Sequence, residues 1–299
     1  MAGLLSVLTP VYNGVAHVGR SYRSLAMQTY TDWEWVVVDD GSVDGTPDLL
    51  VDIARSDPRV RVAGHRPNRG RGYARSRTLE LARGNWSVVW DADDAYHPRR
   101  LEIIDGARQD GFDFSCAYAH VVDNALRPKG VRGFSMFLGA TTFVHATLGA
   151  RTELMRSIGY EQGLTTVGQI GEDHRMGLVL PTRHRGHYHH GVLMVNQEDR
   201  EVFLLKAIHS NSVRLRVLRE LGEAGTFRVP EPVWRAEVRR VRNKLLVLEA
   251  MRLFPPAYKR TVRYRSFGEV TPGYSPAAED TRFLEAMRHG FAPAAQAVA

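Results

Sequence analysis

The feature that most constrains this chain is an alternation in its N-terminal third. Short apolar runs stop at clusters of Pro, Gly and Asp, and between them apolar residues recur at helical spacing. Leu4 to Leu8 is apolar and ends at Thr9-Pro10, a strand closed by a turn. Val18, Tyr22, Leu25 and Ala26 fall on one face of a helix over about 17–27. Trp33 to Val38 is β-branched and aromatic and breaks into Asp39-Asp40-Gly41-Ser42. Asp44-Gly45-Thr46-Pro47 opens a helix to about Ala54, with Thr46 as N-cap and Pro47 at the first helical position. Val60 to Val62 reads as a short strand, Gly70-Arg71-Gly72 precedes a helix to about Ala82, and Trp86 to Trp90 is a strand running into Asp91-Ala92-Asp93-Asp94. This alternation predicts an α/β fold with a mainly parallel central sheet flanked by helices. Ligands of such sheets bind beyond the carboxyl ends of the strands. Thr9-Pro10, Asp39-Asp40 and Asp91 to Asp94 all fall there, so they are expected to converge.

From about Phe112 the pattern changes. A strand is expected over 112–120, a Gly-rich loop and a strand within 129–142, and helices over 152–158 and 172–179. Beyond Phe203 the chain reads as mainly helical, broken at Pro230-Glu231-Pro232 and Pro255-Pro256, with a frayed tail after Pro272. The expected organisation is an α/β domain over 1–200, in halves of about 1–100 and 101–200, and a largely helical C-terminal region over 201–299. A chain of 299 residues can bury a sizeable core. The lone Cys116 rules out an intrachain disulfide and fits a reducing, cytoplasmic compartment. The apolar N-terminus lacks a basic flank and contains Pro10, so it reads as a strand rather than a signal peptide. No run approaches the roughly eighteen apolar residues of a membrane span.

Net charge is +7, and the excess lies late: Val213 to Arg265 holds 14 Lys and Arg against 5 acidic residues. That stretch reads as solvated helix faces, as a peripheral contact with an anionic membrane, or as a hold on a phosphorylated acceptor. No nucleic-acid module is present, so nucleic acid is not an expected partner. His184, His187, His189 and His190 crowd together, but no cysteine completes a tetrahedral zinc set. They read as a polar loop entering a strand over 192–195, with one histidine able to approach a diphosphate or metal.

Two carboxylates on a short turn at a strand end suit a hard divalent cation, which takes oxygen ligands from one or two carboxylates plus substrate phosphates and water. The same pair alone would equally serve as a solvated turn. The context goes further. Val7-Leu-Thr-Pro-Val-Tyr-Asn13, Ser24-Leu-Ala-Met-Gln-Thr-Tyr30, Val37 to Thr46, Asn68-Arg-Gly70, Ala74-Arg75, Leu81 to Gly84 and Trp90 to Asp94 follow in order. Ile158-Gly159 and Gly171-Glu172-Asp173 come after them. Together, over residues 4 to 180, they resemble the inverting family 2 glycosyltransferases of the GT-A fold.

That resemblance implies a nucleotide-sugar donor, UDP-linked by family frequency, and Mn²⁺ or Mg²⁺ as cofactor. It implies that Thr9, Pro10 and Tyr12 line the base and ribose pocket. Asp40, with Asp39 beside it, would accept a hydrogen bond from the base, and Arg75 would lie near the diphosphate or the base. Asp91 and Ala92 would contact ribose or the metal region, and Asp93 would be the main metal ligand. Asp173 would be the catalytic base, with Glu172 as its neighbour. The acceptor, whether natural product, glycan or lipid-linked sugar, is not specified, and the C-terminal helices could form a lid or a homodimer contact.

Two positions depart from the family. Ala74-Arg75-Ser76 replaces Ala-Arg-Asn, and His174-Arg175-Met176 follows the acidic pair. The alternatives are a nucleotidyltransferase on a similar scaffold, distinguished by pyrophosphate release, and a non-catalytic nucleotide-sugar binder.

Overall fold

The computed structural model describes residues 3–122, 128–162, 171–197 and 204–253. In chain order these form β1 (Leu5–Val11), α1 (Val15–Ala26), β2 (Trp33–Asp39), α2 (Thr46–Ser56), β3 (Val60–Gly64), α3 (Arg71–Leu81) and β4 (Trp86–Val89). There follow β5 (Ala95–Tyr96), α4 (Arg100–Gln109), β6 (Phe114–Val122), β7 (Pro128–Arg132), β8 (Ser135–Phe137) and β9 (Ala140–Thr142). A 3₁₀ turn at His145–Thr147 leads to β10 (Gly149–Arg151), α5 (Thr152–Ile158), α6 (His174–Arg183), β11 (Gly186–Gln197), α7 (Leu204–Glu223) and α8 (Glu231–Leu253).

The main sheet runs β3-β2-β1-β4-β10-β6-β11-β5, with β7 added to β6, and β8 and β9 pair separately. β1 pairs in parallel with β2 and β4, and β2 with β3. β10 is antiparallel to both β4 and β6, so those two strands run the same way. Every residue of β1 and β2 is buried, because helices cover both faces of the sheet. One face packs Val7, Trp35 and Val88 against Val18 and Leu25 of α1, Leu50 of α2 and Leu101 and Ile104 of α4. The other packs Leu8, Val36 and Val89 against Leu79 of α3, Met155 of α5 and Met176 and Leu180 of α6.

The α/β alternation is as expected, and the differences are local. Gly45 rather than Thr46 caps α2; Thr46 lies in its first turn, and the Asp44 carboxylate accepts the Thr46 N–H at 3.0 Å. The Thr46 hydroxyl instead accepts the Gly14 N–H at 2.8 Å. His187, His189 and His190 are strand, not loop: β11 starts at Gly186 and pairs in parallel with β6 from Phe114 onward, while His184 caps the end of α6. α6 begins at His174, two residues after the expected start, with Asp173 at its N-cap. The break at Pro230 precedes α8, whereas Pro255-Pro256 and the tail lie outside the described residues. α7 and α8 share a core with α6, built from Leu178, Val213, Val217, Leu218, Leu221 and Val241. Among the described residues no helix is long and apolar enough to cross a membrane.

Candidate functional site

Beyond the carboxyl ends of β1, β2 and β4 lies a cleft of about 360 Å³, lined by Pro10, Tyr12, His17, Asp40, Arg71, Ala74, Asp91, Ala92, Asp93, Asp94 and Asn196 among others. Parallel strands place their following loops side by side, so segments distant in sequence meet here. Tyr12 is 50% exposed at the rim, an aromatic face available for stacking.

Thr9 is not part of the lining. It is sealed in the sheet, its hydroxyl donating to Trp90 O at 2.6 Å and accepting from Trp35 Nε1 at 2.7 Å. Asp39 turns back on its own loop, accepting from the Ser42 N–H and hydroxyl. Asp40 Oδ1 accepts from Arg69 N at 2.8 Å and meets His65 Nε2 at 2.7 Å. Its Oδ2 accepts from Gly70 N at 2.9 Å and Asn68 Nδ2 at 3.0 Å. These donors occupy the lone-pair positions of the carboxylate. Asp40 thereby pins the segment entering α3 to the end of β2. Gly41 permits this approach: at φ 80° it takes the left-handed conformation, and a Cβ there would stand 2.9 Å from Asn68 N.

α3 presents Arg71 and Arg75 from its first and second turns. Glu172 is 1% exposed and receives Arg71 Nε at 2.6 Å, Arg71 Nη2 at 3.0 Å and Arg75 Nε at 3.2 Å. Arg75 Nη2 reaches the other way, to Asp91 Oδ1 at 2.8 Å. Burial works to raise the Glu172 carboxyl, but the two guanidiniums overcome it and hold it down to about 2. Asp91 follows the same logic: burial pushes it up, Arg75 and Arg71 outweigh that, and it lies below the ordinary range. Glu172 is therefore an anchor for cations and a poor proton acceptor. Close packing fixes the arrangement, since a Cβ on Gly72 would stand 1.9 Å from Glu161 O.

Asp173, next along, differs. It is half-buried, and among the described residues no hydrogen bond or ion pair engages its carboxylate. Its charge is felt by Arg75, Tyr160, His145 and His174, which places it beside the same cluster. His145 Nε2 and the Tyr160 hydroxyl meet at 3.1 Å within that cluster.

Asp93 and Asp94 complete the acidic turn. Burial first, then the neighbouring carboxylates, raise both, and Asn196 Nδ2 donates to Asp94 Oδ1 at 2.9 Å. Asp94 is buried and Asp93 exposed at the cleft, and Arg20 feels the charge of both; carboxylates this close together are a donor set suited to a hard divalent ion. Among the described residues no group of three or more acidic, His or Cys side chains is disposed to enclose a metal. An ion here would complete its shell with phosphate and water, the habit of Mg²⁺ and similar ions.

The cleft thus gathers Pro10, Tyr12, Asp40, Asp91, Ala92 and Asp93, while Arg75 and Glu172 are not in its lining and lie buried behind it, bonded to Asp91 and Arg71. Sequence reasoning missed Arg71, His17 and Asn196. Arg71 had a signal, a cation at a helix start just after glycine; Asn196 had none, because it enters from the far strand β11.

Residues 6–149 match the family described as glycosyl transferase family 2. TuaG of Bacillus subtilis (strain 168), named for teichuronic acid biosynthesis, is 36% identical over 99 residues, 33% of this chain and 39% of that protein. The match spans less than half the length of that relative. The crystal structure of S. aureus TarS 1–349 in complex with UDP superposes with a TM-score of 0.61 at 19% identity, covering 81% of this chain and 70% of that one. Mannosyltransferase PcManGT from Pyrobaculum calidifontis, in complex with GDP-Man and Mn²⁺, gives 0.60 at 16% identity, covering 86% and 76%. Residues 6–149 therefore belong to glycosyl transferase family 2, and the chain has the GT-A fold.

Proposed function

We propose that this protein is an inverting glycosyltransferase, moving a sugar from a nucleoside-diphosphate sugar, UDP-linked by preference, to an acceptor hydroxyl. The observation that carries this reading is the convergence of Asp91, Asp93, Asp94 and Arg71 on one cleft beyond the strand ends. The family match and the nucleotide-bound structural neighbours support it.

Tyr12 and Pro10 would wall the base pocket beside Asp40, whose carboxylate is held by the backbone N–H groups of Arg69 and Gly70. A base N–H could reach the Asp40 carboxylate only by replacing one of its present donors. Arg71 faces the cleft and would meet the diphosphate, while Glu172 holds its guanidinium in place. Asp93, with Asp91, would hold Mn²⁺ or Mg²⁺, which when bound supplies Lewis-acid stabilisation of the leaving diphosphate. The acceptor oxygen attacks the anomeric carbon as the bond to the diphosphate oxygen breaks, and its proton passes to Asp173. Attack opposite the leaving group inverts the anomeric centre.

The test is calorimetric titration with UDP, GDP and dTDP, with and without Mn²⁺, on the wild type and Asp93→Ala. Metal-dependent binding of one nucleotide, weakened in the variant, is expected. No binding to any of them would overturn the reading.

A further inference from the structure

β6 and β11 carry a row of aromatic side chains that the proposed donor chemistry does not use. Phe134, just after β7, is the hub: its ring lies 4.9 Å from Tyr118, 5.1 Å from Tyr188 and 5.5 Å from His190, centre to centre. The Tyr118 hydroxyl and His190 Nδ1 meet at 2.7 Å, and the Tyr188 hydroxyl donates to Thr141 O at 3.2 Å. His190 is exposed and the other three are half-buried, so the row is open along one side.

Its position follows from register. Val88 of β4 pairs with Gly149 of β10, and Gly149 pairs with Ser115 of β6. Three residues further along are Asp91 and Tyr118, at the same level because β4 and β6 run the same way. Val89 and Cys116 lie in the core beneath α3, α5 and α6, and side chains alternate, so Asp91 and Tyr118 share that face. One strand separates β4 from β6, which sets Tyr118 about 10 Å from the Asp91 line, two strand spacings. Arg75, which bonds Asp91, approaches from the same face. His187 points the other way, to Ser115 Oγ at 3.0 Å. Strand alternation thus divides the histidine-rich stretch between two faces.

We propose that Tyr118, Phe134, Tyr188 and His190 form a shelf that seats a pyranose ring of the acceptor; this rests on the glycosyl-transfer reading. A pyranose has an apolar C–H face and a hydroxylated rim. The shelf matches both, with half-exposed ring surface, in rings packed edge to face at 80–85°, and the Tyr118, Tyr188 and His190 polar atoms at the ring edges. A lipid chain would be served poorly by rings so tipped with polar atoms. A phosphate would want a guanidinium or ammonium group, and none of the four residues carries one.

Calorimetry and saturation-transfer NMR with cellobiose and N,N′-diacetylchitobiose as probes, and glycerol as the ringless control, test it. Wild type, Tyr118→Ala, Tyr118→Phe and His190→Ala are compared, with UDP affinity measured on each. Expected are binding of a disaccharide with saturation of its ring protons, none for glycerol, and a loss of about tenfold in Tyr118→Ala. Tyr118→Phe keeps most of the affinity, and UDP affinity is the same throughout. Failure of both disaccharides to bind a wild type that binds UDP would overturn the shelf, as would binding indifferent to Tyr118→Ala and His190→Ala. Absence of UDP binding would instead strike at the transfer reading, and disaccharide binding lost in Tyr118→Ala would still support the shelf.

Discussion

Replacing Glu172 by Gln removes one charge from a cluster of two arginines and two carboxylates in which Glu172 and Arg75 are buried, Asp91 is half-buried and Arg71 is exposed. In the wild type Glu172 is 1% exposed and takes three N–H bonds from Arg71 and Arg75. Glutamine keeps the shape but loses the anion and turns an amide toward one guanidinium. Breaking one side of a buried ion pair costs about 3–5 kcal/mol. A second route gives a similar size. The carboxyl falls from an ordinary 4.5 to about 2, and at about 1.4 kcal/mol per pH unit this is about 3 kcal/mol of stability. The folded-state value is depressed, so this stabilisation is complete above pH 4.5 and is lost as pH falls toward 2. Thermal unfolding at pH 7 should therefore show Glu172→Gln melting roughly 6–12 °C below wild type. The gap should close between pH 4.5 and 2, where wild-type Glu172 itself becomes neutral. A variant that melts with wild type at pH 7, or a gap that persists unchanged at the acid end, would refute the clamp.

Asp173→Asn should act oppositely. Turnover is expected to fall by about 10²–10⁴, the scale of general-base catalysis, while UDP affinity and melting temperature stay near wild type; single-turnover rates beside calorimetry check this. Thr9→Val removes the acceptor for the buried Trp35 N–H and the donor to Trp90 O. It should cost about 1–3 kcal/mol in urea unfolding and leave nucleotide affinity unchanged, because the hydroxyl faces the sheet interior.

The sequence by itself determined the alternating layout of the N-terminal third. Runs such as Trp33 to Val38 are too β-branched and too sharply bounded to be helical, and Asp39-Asp40 and Asp91 to Asp94 had to fall at strand ends. The ordered motifs also sufficed to point to the family. What a single segment could not reveal was the use made of each polar side chain, because that depends on partners brought up by other elements. Thr9 reads as pocket lining but lies inside the sheet, since Trp35 and Trp90 offer it both hydrogen bonds. Glu172 and Asp173 are adjacent and chemically alike, yet α3 delivers two guanidiniums to one and none to the other. The histidines of β11 look like one cluster in sequence, and the period of two in a strand sends His187 and His190 to opposite faces. Local pattern fixed where the acidic turns lie along the chain; only tertiary packing decided which charges are neutralised and which remain available.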